Sequence, residues 1–262
     1  MKHKIGIIGF GAIAKDVVNE LIDTERFVIS VFVRSSNVCL PNGVTPFNNI
    51  DDLLRWRPDL IIEAAGQSAV TEYIPTCLEH AISVVISSVG SLSNNKFYTD
   101  IKEIASNKKA KILIPSGAIA ALDYINAATI GKYTEVNYES RKPINAWRDE
   151  LTNLGYLEGN IDEEVVLFEG DASTAARKYP QNLNVAATLA LAGAGMENTK
   201  VRVVADPNTN TNKHLIQVSG PNGTLNVSVV NKPSATNPKT SAIVSKSIVA
   251  SVNQHFSTVQ FL

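Results

Sequence analysis

The chain opens on Ile5-Gly6-Ile7-Ile8-Gly9-Phe10-Gly11-Ala12-Ile13-Ala14, an apolar run that breaks into glycines and then resumes as a helical pattern. A strand buried on both faces has to turn sharply into a helix here, and glycine supplies the backbone freedom. Gly9 serves the turn, Gly11 lets the backbone approach a pyrophosphate, and Ala14 stands where a small residue lets helix pack on strand. The helix N-terminus, with Ala12 and Ile13, then faces the anion. Asp16, Val17, Val18, Leu21 and Ile22 continue at helical spacing, and Phe27 to Val33 adds a second β-branched run. The whole is a βαβ unit of ~30 residues, the setting of a dinucleotide-binding turn. A plain α/β turn without a ligand is the alternative reading of the same glycines.

Further apolar runs at Leu60 to Ala64, Ser83 to Ser87 and Ile112 to Ile114 alternate with helical or loop segments. That alternation predicts a doubly wound parallel sheet of Rossmann type. Such sheets bind ligands at the carboxyl ends of their strands, here Gly9 to Gly11, Val33 to Ser36, Ala64 to Gln67, Ser87 to Gly90 and Pro115 to Ala118. Each end is small, polar or glycine-rich, as an open crevice requires. Cofactor contacts are expected from Gly9, Gly11, Ala12, Ile13, Arg34, Ser35, Ser36, Ala65, Gly66 and Ser88. Glu63, Gln67 and Ser88 read better as structural or positioning groups than as acids or bases. An acid at the end of the second strand would accept from the ribose hydroxyls of NAD, and this chain has Val33-Arg34-Ser35-Ser36 instead. One cation and two hydroxyls suit a phosphate dianion, so NADP is favoured over NAD, with use of both compatible.

The pattern changes after about Leu122. Thr134 to Pro143 and Val201 to Val230 read as antiparallel strands, broken at Asp206-Pro207-Asn208 and at Gly220-Pro221-Asn222-Gly223. Asn184 to Gly193 reads as a small-residue helix that must pack against something close. Asn237-Pro238-Lys239-Thr240-Ser241 is expected to open a last helix, with Asn237 as cap and Ile243, Val244, Ile248 and Val252 on one face. The expected organisation is a dinucleotide-binding domain over 1–117 and a second α/β domain over 118–236 with a mixed or antiparallel sheet. The last helix, 237–254, is expected to pack back on the first domain.

Composition removes several classes. In 262 residues the formal net charge is -1, and no basic block could neutralise a row of phosphates, which argues against nucleic-acid binding. The longest apolar stretches fall short of the ~20 residues of a membrane span. Met1-Lys2-His3-Lys4 runs straight into the first strand without room for a signal peptide, so a cytoplasmic location is expected. Cys39 and Cys77 lie far apart without metal-ligand spacing, and read as reduced structural thiols with no metal site.

Several stretches are more specific: Pro115-Ser116-Gly117-Ala118-Ile119 with Leu122-Asp123, then Tyr179-Pro180-Gln181-Asn182-Leu183-Asn184-Val185-Ala186-Ala187. Thr199 to Pro207, leading to Asn212-Lys213-His214, and Asn231-Lys232-Pro233-Ser234, followed by Asn237 to Ser241, complete the set. Together with the glycine turn they resemble the L-aspartate dehydrogenase family over essentially the whole chain, in the right order. The resemblance implies a Rossmann domain with an α/β catalytic domain, paired as a homodimer, that oxidises L-aspartate with NAD or NADP to iminoaspartate. That imine hydrolyses to oxaloacetate and ammonia, or passes to a quinolinate-forming partner enzyme toward NAD biosynthesis. It further implies that His214 is the catalytic residue and that Ala118 and Asn184 touch the cofactor. Ala14 in place of a third glycine and Arg34 in place of an acid depart from the family's pattern.

Amine oxidation needs a neutral amine, and a histidine with an ordinary pKa of about 6.5 suits the removal of its proton. His214 alternates with Ile216 and Val218 on an apolar strand face, where a packed core histidine is the alternative. Whether it serves as a direct base or activates water for imine hydrolysis stays open on sequence. Lys239, Thr240 and Ser241 at the expected helix start offer an ammonium, hydroxyls and free N–H groups to the substrate carboxylates, simple capping being the alternative. Asp123 and Asp206 read as cap and turn residues. Two other readings remain: another two-domain NAD(P)-dependent oxidoreductase acting on a small amino or hydroxy acid, and a non-catalytic nucleotide-sensing protein. The paired histidines of a dihydrodipicolinate reductase and the glutamate-lysine-proline run of sugar oxidoreductases are both missing.

Overall fold

The apolar runs of the first 117 residues become the strands of one parallel sheet. The computed structural model describes residues 2–35, 38–131, 134–156, 161–179, 184–235, 237 and 240–261. In chain order the elements are β1 (His3–Ile8), α1 (Ala12–Ile22), β2 (Phe27–Phe32), β3 (Thr45–Phe47), α2 (Ile50–Arg55), β4 (Leu60–Glu63), α3 (Gln67–Glu79), β5 (Ser83–Ile86), α4 (Asn95–Lys108) and β6 (Ile112–Leu113). The sheet order is β3-β2-β1-β4-β5-β6, with every pairing parallel. Strand order therefore reverses beside β1, and the glycine turn sits at the switch point where such sheets bind ligands. Ile5, Ile7, Leu60 and Ile62 are fully buried, and α1 sets Ala14, Val17, Val18 and Leu21 against them at helical spacing. The sequence reading did not anticipate β3 and α2. β3 has three residues around Pro46 at the sheet edge, and α2 is a six-residue helix capped by the Asn49 side chain, which accepts from the Asp51 amide at 2.9 Å. Both are too short to show a period.

Contacts divide the chain into two compact units, residues 1–117 with 244–262, and residues 118–243. The second contains α5 (Leu122–Ala128), β7 (Glu135–Pro143), α6 (Arg148–Asn153), β8 (Val165–Asp171), α7 (Ala172–Lys178), α8 (Asn184–Ala192), β9 (Thr199–Asp206), β10 (Asn212–Gly220) and β11 (Gly223–Asn231). Their order is β11-β10-β7-β9-β8. Of the two arrangements expected, mixed or antiparallel, the sheet is the mixed one: β7 and β9 run parallel and the other pairings are antiparallel. Gly220 to Gly223 closes the β10–β11 hairpin as the turn residues predict. The Asp206 turn instead opens a crossover, because β7 lies between β9 and β10. Past the end of α8, a methyl at Gly193 would fall well inside contact distance of the Ile125 side chain, so the slim helix end packs on α5.

The last helix, α9 (Ile243–His255), begins six residues later than expected. Asn237, Thr240 and Ser241 are not helical. The Thr240 amide donates to the Asn237 carbonyl at 2.9 Å, and Ser241 bridges to Pro233 in an antiparallel pairing. Pairing with the 232–234 segment thus satisfies the backbone groups that a helix start would have left free. Ile248 and Val252 on α9 are fully buried in the core of the first unit. Ser247 on the same helix accepts from the Gly117 amide at 2.9 Å. No helix among the described residues is long and apolar enough to cross a membrane.

Candidate active site

In the first unit the glycine turn builds a cradle. Gly9 has φ +91°, and a methyl there would stand 2.6 Å from the Ala65 Cβ and 2.9 Å from its Cα. Glycine is therefore required for the turn and for the close approach of the loop after β4. Gly11 differs. Its backbone is extended, and an added Cβ would meet nothing within 4 Å. No side chain caps α1, so its first amides are left to another acceptor. A pocket of about 340 Å³ opens here, lined by Gly9, Gly11, Phe32, Arg34, Ser35 and Ala65, with Glu72 and Tyr73 of α3. Glu72, which the sequence reading missed, hydrogen-bonds the Tyr73 phenol and raises its pKa. The glycine cradle, free helix amides and a cation at the end of β2 fit a dinucleotide.

One buried carboxylate organises the neighbouring strand ends. Glu63, the last residue of β4, has no exposed surface. Its Oε1 accepts from the amides of Ala65 and Gly66, both at 2.8 Å, and from the Ser88 hydroxyl at 2.9 Å. Its Oε2 accepts from the Ser88 amide at 3.0 Å. These donors hold the ends of β4 and β5 in one arrangement. The amides of Ala65 and Gly66 are thereby engaged within the protein, and the Gly66 carbonyl accepts from the Ala69 and Val70 amides at 3.0 and 3.3 Å.

The second unit carries a polar cluster on the buried face of its sheet. β10 alternates as the sequence predicts, with His214, Ile216 and Val218 buried. β7 buries Val136, Tyr138, Ser140 and Lys142 on the same face, and its register sets Ser140 opposite His214 and Tyr138 opposite Ile216. His214 Nδ1 and the Tyr138 phenol share a hydrogen bond of 2.8 Å, with the rings stacked at 16°. Burial, reinforced by the Lys142 charge, holds the imidazole pKa down at about 3. His214 Nε2 is buried without a hydrogen-bond partner among the described residues, and so is Asn212 Oδ1. Asn212 Nδ2 donates to the Ser241 hydroxyl at 3.2 Å. The Lys142 side chain is 4% exposed, and its ammonium stands 5.3 Å from the centre of the Trp147 ring. The imidazole, whose Nε2 has no partner among the described residues, thus shares one sheet face with the buried Lys142 side chain.

A larger cavity of about 820 Å³ lies on the other face of this sheet, lined by residues such as Glu139, Glu169, Lys200 and Arg202. Arg202 there binds Glu139 and, at 3.0 Å, Glu169, and Lys200 pairs with Glu135 at 2.9 Å. Of the cluster around His214 the cavity lining includes Tyr138 but not His214, Lys142 or Asn212.

The other expected residues distribute as follows. Ala118 is buried, and its carbonyl accepts from Asn231 Nδ2 at 2.8 Å. Asn184 begins α8. The expectation that Thr240 and Ser241 present free groups at a helix start is corrected. The Thr240 amide and hydroxyl both bind Asn237, and Ser241 is buried against Asn212. Ser36, Lys239 and the stretch 180–183 lie outside the described residues. Asp206 acts as read, accepting from the Asn208 amide at 2.8 Å in a turn, and also pairs with Arg141 at 2.9 Å.

Known proteins are similar to this chain over nearly its whole length. Residues 123–255 match the family model described as aspartate dehydrogenase, C-terminal, and residues 9–115 match the homoserine dehydrogenase, NAD binding domain. An L-aspartate dehydrogenase 2 of Bordetella bronchiseptica is 42% identical over 260 residues, 97% of each chain. The L-aspartate dehydrogenase of Methanocaldococcus jannaschii is 38% identical over 253 residues, 94% of each. The crystal structure of aspartate dehydrogenase from Thermotoga maritima matches with a TM-score of 0.77 and 26% identity, covering 100% of both chains. With the match running from the glycine turn to the last helix, the chain belongs to the L-aspartate dehydrogenase family.

Proposed function

We infer that this chain oxidises L-aspartate to iminoaspartate with NAD(P), and that His214 is the imidazole at the reacting carbon. The observation that carries the assignment of the site is the buried Nε2 of His214, without a partner among the described residues, on the same face as the Lys142 ammonium. A dicarboxylate needs a cation, and a reacting C–N centre needs a hydrogen-bonding group that stays uncharged near neutral pH. Gly9, Gly11, Arg34, Ser35 and the α1 N-terminus would hold the cofactor, and Ala118 and Asn184 would add contacts from the second unit. A bound nicotinamide cofactor would supply the hydride acceptor for the Cα hydrogen. The protein's part is to orient the Cα–H, anchor the carboxylates and admit water to the resulting imine, which hydrolyses to oxaloacetate and ammonia.

NADP is the favoured cofactor. Arg34 and Ser35 line the pocket where NAD-type sites carry an acid, although Glu72 enters the same pocket from α3. A homodimer in the cytoplasm is proposed with it, iminoaspartate also serving as feed for a quinolinate-forming enzyme. The deciding experiment mixes purified protein with L-aspartate and either NADP or NAD at alkaline pH and follows the absorbance of the reduced cofactor. Reduction dependent on L-aspartate and faster with NADP is expected, with Arg34→Ala lowering the NADP-to-NAD ratio of kcat/KM. Cofactor binding without turnover would favour a nucleotide sensor instead.

A further inference from the structure

The hydrogen bond between Tyr138 and His214 can carry its proton in either direction, and the direction decides what the imidazole can do. A buried phenol has one proton and needs an acceptor for it. Among the described residues, His214 Nδ1 is the acceptor at hydrogen-bond distance from the Tyr138 oxygen, at 2.8 Å. Burial raises the Tyr138 pKa far above that of a free phenol. The Ser140 hydroxyl on the same face is buried without a hydrogen-bond partner among the described residues, so it does not compete for the phenol proton. The phenol therefore keeps its proton and directs it toward Nδ1. The imidazole in turn is held neutral by burial and by Lys142, the charged group that shares its sheet face. A neutral imidazole that accepts at Nδ1 carries its own proton at Nε2.

We propose that Tyr138 is a positioning residue which, by donating to Nδ1, fixes His214 as the Nε2–H tautomer, so that His214 meets the substrate as a neutral hydrogen-bond donor and not as a proton acceptor. The proposal rests on the reading of this site as that of an L-aspartate dehydrogenase. A buried Nε2–H with no partner among the described residues is placed for a substrate oxygen. In imine hydrolysis, water adds across C=N, its oxygen going to carbon and one proton to nitrogen. The C–N bond then breaks as the hydroxyl proton moves to nitrogen, which leaves as ammonia while the C–O bond closes to the ketone. The Nε2–H stabilises the oxygen throughout without giving up its proton. The ammonium proton of incoming aspartate goes to solvent, so the rate is expected to rise toward alkaline pH with the ionisation of the substrate amine and not of His214.

The test begins with nitrogen NMR of the protein labelled at its histidine rings, at neutral pH, with His214 assigned by the signal missing in His214→Gln. A pyridine-type Nδ1 and a pyrrole-type Nε2 are expected; the reverse pattern overturns the proposal. Tyr138→Phe is expected to shift this tautomer balance and to lower kcat with L-aspartate roughly ten-fold or more, while the KM for aspartate and the affinity for NADPH change little. An unchanged kcat with an unchanged ring spectrum overturns it. If Tyr138→Phe does not fold, the wild-type spectrum decides alone. Absence of aspartate turnover in the wild type would sink the functional reading, and the spectrum would still report the tautomer.

Discussion

A histidine enclosed by protein does not titrate where a free one does. His214 is 2% exposed, and its pKa is held down at about 3 against an ordinary value of 6.5. Below pH 6.5 the unfolded chain takes up a proton that the folded chain refuses. The stability contribution is therefore complete above pH 6.5 and lost as the pH falls toward 3. Between pH 6.5 and 5 the expected loss is about 2 kcal/mol from this residue. His255, whose pKa is lowered by burial and by Lys111, adds to the same slope. Denaturant unfolding of wild type and His214→Gln at both pH values isolates the His214 share; parallel slopes in the two proteins would contradict it. The resemblance pointed to His214, and the alternation of β10 gave its burial. Tyr138 was not legible. It lies 76 residues away in sequence and meets the imidazole only through the β7–β10 register, which no local pattern encodes.

At the scale of elements, the turn between β1 and α1 gives two glycines different jobs. Gly9→Ala is expected to cost about 2–4 kcal/mol, since it forces a positive φ on alanine and drives a methyl into Ala65. Gly11→Ala meets no protein atom, so its melting temperature should match wild type. Its NADPH affinity should fall roughly ten-fold or more, about 1.4 kcal/mol, because the methyl occupies the space where a pyrophosphate would approach. A fluorescence titration of the two variants checks the contrast; equal NADPH affinity in Gly11→Ala and wild type would remove the pyrophosphate from that position. β1, β2, β4 and β5 were legible because strands buried on both faces of a parallel sheet read as unbroken apolar runs. β7 was legible as a strand over Thr134 to Pro143, but its buried face carries Tyr138, Ser140 and Lys142, so which residues it would bring together was not. The last helix was misplaced because Asn237-Pro238 has the chemistry of a helix start, while long-range pairing of Ser241 with Pro233 prevailed.

At the scale of the whole molecule, both ends of the chain build the same unit. α9 contributes Ile248 and Val252 to the core formed by β1, β2 and α1. Ile248→Ala should therefore destabilise this unit by about 2–5 kcal/mol. In calorimetry the transition that NADPH shifts upward is the one expected to fall; an unchanged transition would show that the helix is not part of that core. The division at residues 117 and 118 coincides with the end of the apolar strand runs, whereas the return at 244 left no such mark in composition. The arrangement also orders events in time. On a ribosome adding about 5–20 residues per second, the 126 residues from 118 to 243 take roughly 6–25 s to synthesise. Through that interval the nascent strands that will cradle the nucleotide have no α9 to cover them, so the first domain made is the last to close.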